Sequence, residues 1–189
     1  MEEEIKSLVA QLEDKKQDTI GGIDFYSGTI NGKEVVLTRS GIGKVQAGVT
    51  TGLLIANYKV DAVINSGSAG GIGEGLHVGD VVLSTGAAYH DADATAFGYK
   101  LGQLPQQPQI YTADKDLLEA ISKAAKESNL VAKEGLIVTG DQFVSSSEKI
   151  AAIKEIYPKA LSCEMEGAAI AQVAYQFSVP FLIIRAMSD

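Results

Sequence analysis

The chain has 189 residues, 46% of them hydrophobic and 21% charged, with a formal net charge of −8. This length and composition suit a single folded domain with a sizeable core and exclude a disordered chain. The acidic balance argues against a nucleic-acid partner, and the lack of a long apolar run argues against a membrane span. The single cysteine, Cys163, excludes an internal disulfide framework and fits a reducing compartment, so we expect a cytoplasmic protein.

The first third of the chain predicts a helix, a hairpin and a second helix. Apolar residues from Ile5 to Leu12 recur at helical spacing, and this helix is expected to end before Gly21-Gly22. Residues 24–30 and 33–39 predict two strands joined by Asn31-Gly32, a dipeptide that tolerates positive φ at both turn positions. A helix then follows S-G-I-G-K at 40–44, and a short strand is predicted at 61–64.

The rest of the chain alternates strands with helices. Strands are predicted at 79–85, at G-L-I-V-T-G, at 160–164 and at P-F-L-I-I-R, and a long polar loop is predicted at 90–112. Helices are predicted at 114–128, after Ser145 with the capping-box spacing to Glu148, and along the apolar stripe that ends at Phe177. We therefore predict one α/β domain over residues 1–189, with a mostly parallel sheet and helices on both sides.

Ligands of such a sheet bind beyond the carboxyl ends of its strands. The groups that the sequence places there are Arg39 with Ser40, Gly41 and Gly43; residues 66–71; residues 140–143; Glu164, Met165 and Glu166; and Arg185, Ser188 and Asp189. Each has a structural alternative. Glu166 could be a helix N-terminal charge, Glu164 a strand-end residue bonded to the backbone, and Phe143 a core side chain rather than a stacking surface.

Other kinds of site are less well supported. The glycine-rich turns match neither the dinucleotide-binding nor the P-loop pattern, and Ser68 lacks the G-x-S-x-G context of a nucleophile. His90, Asp91 and Asp93 could suggest a metal, but the chain has only two histidines and no second ligand cluster. We therefore predict no metal.

Six motifs occur in an order that resembles one known family. They are S-G-I-G-K at 40–44, N-S-G-S-A-G-G at 65–71, Y-H-D-A-D-A-T-A-F-G-Y at 89–99, T-G-D-Q-F at 139–143, C-E-M-E-G-A-A at 163–169 and R-A-M-S-D at 185–189. The chain is similar over essentially its whole length to bacterial 5′-methylthioadenosine/S-adenosylhomocysteine nucleosidases. The resemblance implies the nucleoside phosphorylase/hydrolase-like fold, a three-layer αβα sandwich around a central mixed sheet.

The resemblance also implies an activity that needs no cofactor: hydrolysis of an N-glycosidic bond of a small thioadenosine, releasing adenine for methionine salvage. Asp189 would protonate adenine, Glu4 would activate water with Ser68 and Arg185, and Glu166 would hold the ribose hydroxyls. The implied substrate-binding residues are Met165 at the ribose, Phe143 and Val144 at adenine, Ile42 at the thioalkyl group, with Ala69, Gly70 and Ser188 nearby. In a homodimer, Phe97, Tyr99 and Pro105 would reach the neighbouring subunit's site.

The chain differs from the family pattern at both ends, and alternatives remain. Family members begin with an apolar strand before M-E-E-E and continue beyond S-D with a long helix, so we expect this chain to be trimmed at both ends. A purine nucleoside phosphorylase, a non-catalytic nucleoside-binding fragment and a flavodoxin-like carrier are the alternatives. Glu4 disfavours the phosphorylase, because a carboxylate that activates water would repel phosphate.

Overall fold

The computed structural model describes residues 2–189, which contain five α-helices and nine strands. The helices are α1 (Glu2–Val9), α2 (Lys44–Tyr58), α3 (Lys115–Glu127), α4 (Ser147–Ile156) and α5 (Gly167–Gln176), with a short 3-10 helix at Thr95–Phe97. The strands are β1 (Glu13–Ile20), β2 (Ile23–Ile30), β3 (Lys33–Thr38), β4 (Val63–Gly71), β5 (Val81–Tyr89), β6 (Tyr111–Thr112), β7 (Ala132–Thr139), β8 (Ala160–Glu164) and β9 (Phe181–Met187). None of the helices in this range has the length and apolar character needed to cross a membrane.

Strands β1, β2 and β3 form a separate antiparallel sheet. The predicted hairpin is confirmed: Ile30 pairs with Lys33, and Asn31 and Gly32 have φ of 49° and 77°. The predicted length of the first helix is wrong, because α1 ends at Val9 and residues 13–20 form β1. Seven of the eight β1 residues are exposed, so this strand lacks the alternation of apolar and polar residues that predicts a half-buried strand.

The second sheet has six strands in the order β6-β5-β7-β8-β4-β9. Three pairs are parallel (β5/β7, β7/β8 and β4/β9), while β5/β6 and β4/β8 are antiparallel, so the sheet is mixed as the resemblance implied. β9 also pairs with β5, from Val81 opposite Ala186 to Leu83 opposite Ile184, and the sheet thereby closes on itself. The central mixed sheet is therefore confirmed, whereas this closed sheet does not by itself confirm the three-layer sandwich.

Both faces of the six-stranded sheet are covered by apolar side chains. Neighbouring residues of β7 point to opposite faces: Ile137 belongs to the core that α2 and α5 share, whereas Val138 packs with Ile153 and Tyr157 at α4. Strand residues that are buried on both faces give the continuous apolar runs seen in the sequence.

Other element boundaries also differ from the prediction: β5 runs to Tyr89, β7 begins at Ala132, and Tyr111–Thr112 of the predicted loop form β6. β4 does not stop at Ile64 but continues to Gly71, because Val63–Ala69 pairs in full with β9 and Gly70 and Gly71 pair with β8. At α4 the N-cap is Ser146, not Ser145, and its hydroxyl accepts a hydrogen bond from the Lys149 amide at 3.3 Å. Lys149 therefore occupies the position at which a capping box would require Glu.

Candidate active site

The parallel pairing of β4 and β9 brings the predicted residues of two strand ends together. In this register Ser68 lies opposite Ala186, and Ala69 lies opposite Met187. The Ser188 amide donates to the Ala69 carbonyl at 3.0 Å, and the Gly71 amide donates to the Asp189 carbonyl at 3.1 Å. These backbone hydrogen bonds continue the ladder past the end of β9 and fix the path of the last two residues.

The Asp189 side chain is exposed at this strand end. Its Oδ1 accepts a hydrogen bond from the Ser188 hydroxyl at 2.8 Å, and a Cβ on Gly70 would lie 3.6 Å from the same oxygen. Gly70 and Ala69 thus present little more than backbone to the acid. The structure brings Ala69, Gly70, Ser188 and Asp189 together, as expected of one binding site.

Arg185 is buried beneath this strand end, where three oxygens bind its guanidinium. Nη1 donates to the Ser68 carbonyl at 3.0 Å, Nη2 donates to Asn65 Oδ1 at 2.7 Å, and Nη2 also pairs with Glu164 Oε2. A Cβ on Gly67 would lie 2.6 Å from Nη1, so this position must lack a side chain. Arg185 contacts Ser68 through the serine backbone, and Ser68 itself is exposed.

Glu164 links Arg185 to the beginning of α5. Its Oε2 accepts hydrogen bonds from the Gly167 amide at 2.7 Å and the Glu166 amide at 3.2 Å, and its Oε1 accepts from the Thr139 hydroxyl. The structural interpretation of Glu164 is therefore confirmed. The ion pair with Arg185, whose side chain is 5% exposed against 2% for Glu164, was not predicted.

Glu166 is the residue before α5 and is half-buried. Burial is the main cause that raises its pKa above the ordinary value of 4.5, and the nearby Glu164 carboxylate raises it further. Arg185 and a hydrogen bond from the Gly43 amide act in the opposite direction. Its side chain makes no cap hydrogen bond to α5, so its carboxylate differs from an ordinary N-cap.

A second group of contacts joins the loops that carry Ile42 and Phe143. The Lys44 amide donates to Asp141 Oδ1 at 2.8 Å, and the Asp141 amide donates to Asp91 Oδ2 at 2.9 Å. Lys44 Nζ completes the group, 2.9 and 2.8 Å from the two Asp91 carboxylate oxygens. Burial alone would raise the pKa of Asp91, but the hydrogen bonds from Lys44 and the Asp141 amide outweigh it and lower that pKa.

The predicted apolar residues of the site are mostly open to solvent. The exposed fraction is 79% for Ile42 and 77% for Phe143, so Phe143 is not a core side chain. Met165 is half-buried, and Val144 packs against the core cluster that contains Ile153. The geometry thus leaves the Phe143 ring available to a ligand.

Four predicted residues are not joined to this group by the contacts described above. Glu4 is an exposed residue in the first turn of α1, and its role in activating water stays a prediction. Phe97 is 81% exposed, Pro105 is exposed, and the Tyr99 hydroxyl accepts a hydrogen bond from the Gln106 amide. All three lie on the 90–110 excursion, where a role in a neighbouring subunit also stays a prediction.

The possible metal ligands have other partners. Asp91 binds Lys44, Asp93 accepts from the Thr95 amide and hydroxyl, and His90 is buried beside Cys163. Burial raises the pKa of Cys163 to about 12, which disfavours its thiolate as a ligand. Within residues 2–189 we find no cluster of three or more His, Cys, Asp or Glu side chains suited to a metal ion.

Sequence reasoning assigned no role to several residues that support the site. Asn65 and Thr139 bind Arg185 and Glu164, and Lys44 and Asp141 join the loops. One signal was available for Thr139, because it is a polar residue at the end of the apolar run G-L-I-V-T and a buried polar side chain requires a partner.

The comparisons with known proteins agree with this geometry. The Phosphorylase superfamily matches residues 1–189. A 5′-methylthioadenosine/S-adenosylhomocysteine nucleosidase of Staphylococcus aureus is 49% identical over 189 residues, covering 100% of this chain and 83% of that protein.

Solved structures give the same result. The Neisseria meningitidis nucleosidase in complex with methylthio-immucillin-A has a TM-score of 0.97 and 49% identity, over 100% of this chain and 82% of that one. The Colwellia psychrerythraea nucleosidase in complex with adenine has a TM-score of 0.95 and 44% identity, over 100% and 79%. The chain therefore belongs to the phosphorylase superfamily and, within it, to the 5′-methylthioadenosine/S-adenosylhomocysteine nucleosidases.

Proposed function

We propose that this protein is a hydrolase that cleaves the N-glycosidic bond of 5′-methylthioadenosine and S-adenosylhomocysteine. The products are adenine and the 5-thio-substituted ribose, which places the enzyme in methionine salvage. The observation that carries the proposal is the common end of β4 and β9, where Asp189 lies against Gly70 while Arg185 lies beneath Ser68. The names of the relatives support the choice of substrates.

The acid side of the reaction belongs to Asp189. As the bond between C1′ and N9 breaks, its electron pair moves into the adenine ring, and Asp189 transfers a proton to N7 so that adenine leaves as a neutral base. The Ser188 hydroxyl orients the acid by its hydrogen bond to Oδ1. Gly70 and Ala69 let the flat base approach, since neither offers more than a methyl group.

The water side belongs to Glu4, Ser68 and Arg185. Glu4 takes a proton from water while the water oxygen bonds to C1′, so the proton that Asp189 loses is balanced by the one that Glu4 gains. Glu166 holds the ribose hydroxyls, and its negative charge stabilises the oxocarbenium-like sugar that develops between the two steps. The half-buried position of Glu166 strengthens this interaction, because burial lowers the local dielectric.

Substrate affinity comes mainly from apolar contacts. Phe143 stacks on adenine, Val144 binds the edge of the base through its backbone, Met165 packs on the ribose and Ile42 lines the thioalkyl pocket. The exposure of Ile42 and Phe143 supports this assignment, because neither side chain is used by the core.

The buried ion pair favours hydrolysis over phosphorolysis. A phosphorylase needs cationic groups free to hold phosphate. Here the Arg185 guanidinium is already paired with Glu164 and hydrogen-bonded to Asn65, so its charge is largely compensated. Glu4 and Glu166 would add like-charge repulsion against a phosphate anion.

The proposal also includes a cytoplasmic homodimer with no cofactor. Val45 and Val49 on α2 are 78% and 50% exposed, and Phe97 is exposed as well, which supports an apolar contact between subunits. We further propose that residues 1–189 act as one domain. We also propose that the closed sheet is the middle of the three layers that the resemblance implied, and the core clusters at α5 and at α4 support layers on both of its faces.

The test is adenine release from 5′-methylthioadenosine in phosphate-free buffer, followed chromatographically. We expect release without phosphate and no acceleration when phosphate is added. Release only with phosphate would identify a phosphorylase. Binding of adenine without any release would instead identify a nucleoside-binding protein.

A further inference from the structure

Three segments that are distant in sequence meet at the beginning of α2. They are the Gly41–Lys44 turn, the segment at 90–93 and the loop at 140–143 that carries Phe143. Lys44, Asp91 and Asp141 join them through four hydrogen bonds of 2.8–2.9 Å, and we name these three residues the loop clamp. None of the three was assigned a role in the proposed reaction.

The first amide of α2 binds a carboxylate of the Phe143 loop. The Lys44 amide donates to Asp141 Oδ1 at 2.8 Å. Helix N-terminal amides have no acceptor within the helix and favour negative charge. The turn that carries Ile42 is thus fixed relative to the Phe143 loop.

The ion pair of the clamp is more sheltered than a surface pair. The exposed side-chain fraction is 27% for Lys44 and 12% for Asp91, and the ammonium group contacts both oxygens of the carboxylate. Lys44 Nζ also lies 5.3 Å from the centre of the Tyr89 ring. In contrast, the Lys123–Glu127 pair on α3 is 78% and 68% exposed, with 4.0 Å between its charged atoms.

We propose that the loop clamp determines the affinity for the adenine-containing substrate by fixing the Phe143 loop relative to the Ile42 turn. Lys44, Asp91 and Asp141 are positioning residues in this proposal, because they hold the loops of Phe143 and Ile42 and do not themselves contact the substrate. The inference rests on the proposed function and deepens it. Exposed apolar side chains on unheld loops would lose entropy on binding, and a fixed loop avoids most of that cost.

The principal test replaces Lys44 by Met in the full chain. Lys44→Met keeps the aliphatic stem and the backbone hydrogen bond to Asp141 but removes the charge that holds Asp91. We expect KM for 5′-methylthioadenosine to rise about tenfold and kcat to change less than about threefold, because Glu166 is also fixed at the start of α5. The matched control is Lys123→Met, which should leave both constants unchanged.

A second measurement does not depend on activity. Amide hydrogen exchange of peptides covering 140–146 should become faster in Lys44→Met and stay as in the wild type in Lys123→Met. Adenine affinity, measured by calorimetry, should fall by about the same factor as KM rises. Lys44→Arg should restore most of the affinity, since it returns a cation to Asp91.

A variant that preserves the Tyr89 contact guards against misfolding of Lys44→Met. Asp91→Asn removes the negative charge but keeps an oxygen that can accept from the Asp141 amide, and we expect the same direction of change. The inference would be overturned if amide hydrogen exchange at 140–146 stayed unchanged in both Lys44→Met and Asp91→Asn. It would also be overturned if these variants lowered kcat and left KM unchanged. A wild-type protein that releases no adenine would overturn the proposed function instead, while exchange and adenine affinity would still decide the role of the clamp.

Discussion

The charged end of the site and its apolar loops are held in different ways. At the charged end, Arg185 and Glu164 are almost fully buried and each has several partners on strands of one sheet. At the apolar end, Ile42 and Phe143 are more than three-quarters exposed and depend on loops fixed by the clamp. The first region is built by strand register, and the second by a few polar contacts between turns.

This difference predicts separate contributions of the two regions to the proposed reaction. Charged groups that stabilise a developing cation must be in place before the reaction, since reorganising them would cost energy at the transition state. Apolar surfaces that bind a flat base need only be available to it, and they are desolvated when the ligand arrives. Substitutions at the charged end should therefore affect folding or kcat, and those at the apolar end should affect KM.

The largest effect is expected for Glu164→Gln. This change leaves the buried Arg185 guanidinium without its counter-charge, and breaking a buried pair in this way costs about 3–5 kcal/mol. We expect the free energy of unfolding in urea to fall by about that amount and adenine release to be lost.

The matched control for Glu164→Gln is Glu127→Gln, which breaks the exposed pair with Lys123. We expect a change below about 0.5 kcal/mol there, as is usual for surface pairs. If the two substitutions lowered the free energy of unfolding equally, the buried pair would contribute no more than a surface pair. The charged end would then not differ from the rest of the surface in the way described above.

Asp189→Asn should separate chemistry from folding. The side chain is exposed and its main contact is the Ser188 hydroxyl, which an amide oxygen can also bind, so stability should hardly change. Loss of the proton donor should lower kcat about 10²- to 10⁴-fold in a steady-state assay of adenine release. Ser188→Ala should lower kcat less, because it removes only the hydrogen bond that orients the acid. An unchanged kcat in Asp189→Asn would show that Asp189 is not the acid.

Phe143→Ala tests the apolar end. Removing a ring that stacks on a base costs about 1–3 kcal/mol, so we expect KM to rise at least fivefold with a nearly unchanged kcat. Because the ring is 77% exposed, the melting temperature should stay within a degree or two of the wild type. The KM of Phe143→Leu should lie between those of the wild type and Phe143→Ala. A melting temperature below that of the wild type in both variants would indicate a packing role for the ring.

Much of the fold followed from local signals in the sequence. The Asn31-Gly32 turn, the helices at 44–58 and 115–127 and the strand at 181–187 were visible because their turn residues or apolar patterns are strong. β1 was missed because a polar edge strand has no apolar face. β4 was predicted too short, since N-S-G-S-A-G-G resembles a loop and becomes a strand only through its pairing with β9.

The site was predictable to a similar extent. Ser68, Arg185 and Asp189, which the sequence placed at strand ends, do lie close together, because parallel strands end at the same edge. The Glu164–Arg185 pair and the loop clamp join residues 21 to 97 positions apart, and no local pattern specifies such contacts. Register and loop closure decide them, and both depend on the complete tertiary structure.

The smallest effect we predict concerns the pH dependence of Glu166. Its pKa is raised by burial and by Glu164, so the ionised form that we propose to bind the ribose is lost at a higher pH than for a free glutamate. The acid limb of the kcat/KM profile should therefore lie above 4.5, and the assay should be run in several buffers to exclude buffer effects.

The same shift has a consequence for stability, with a definite sign. Between 4.5 and the raised pKa, the folded chain binds more protons at Glu166 than the unfolded chain, so stability decreases as pH rises through this window. At neutral pH the ionised Glu166 is a small cost to the fold, and Glu166→Gln should unfold at a slightly higher urea concentration than the wild type at pH 7. The difference should vanish below 4.5, where both states of the wild type are protonated. If Glu166→Gln were less stable than the wild type at pH 7, the ionised Glu166 would gain more from Arg185 and Gly43 than it loses by burial. Glu166 would then stabilise the fold, as Glu164 does.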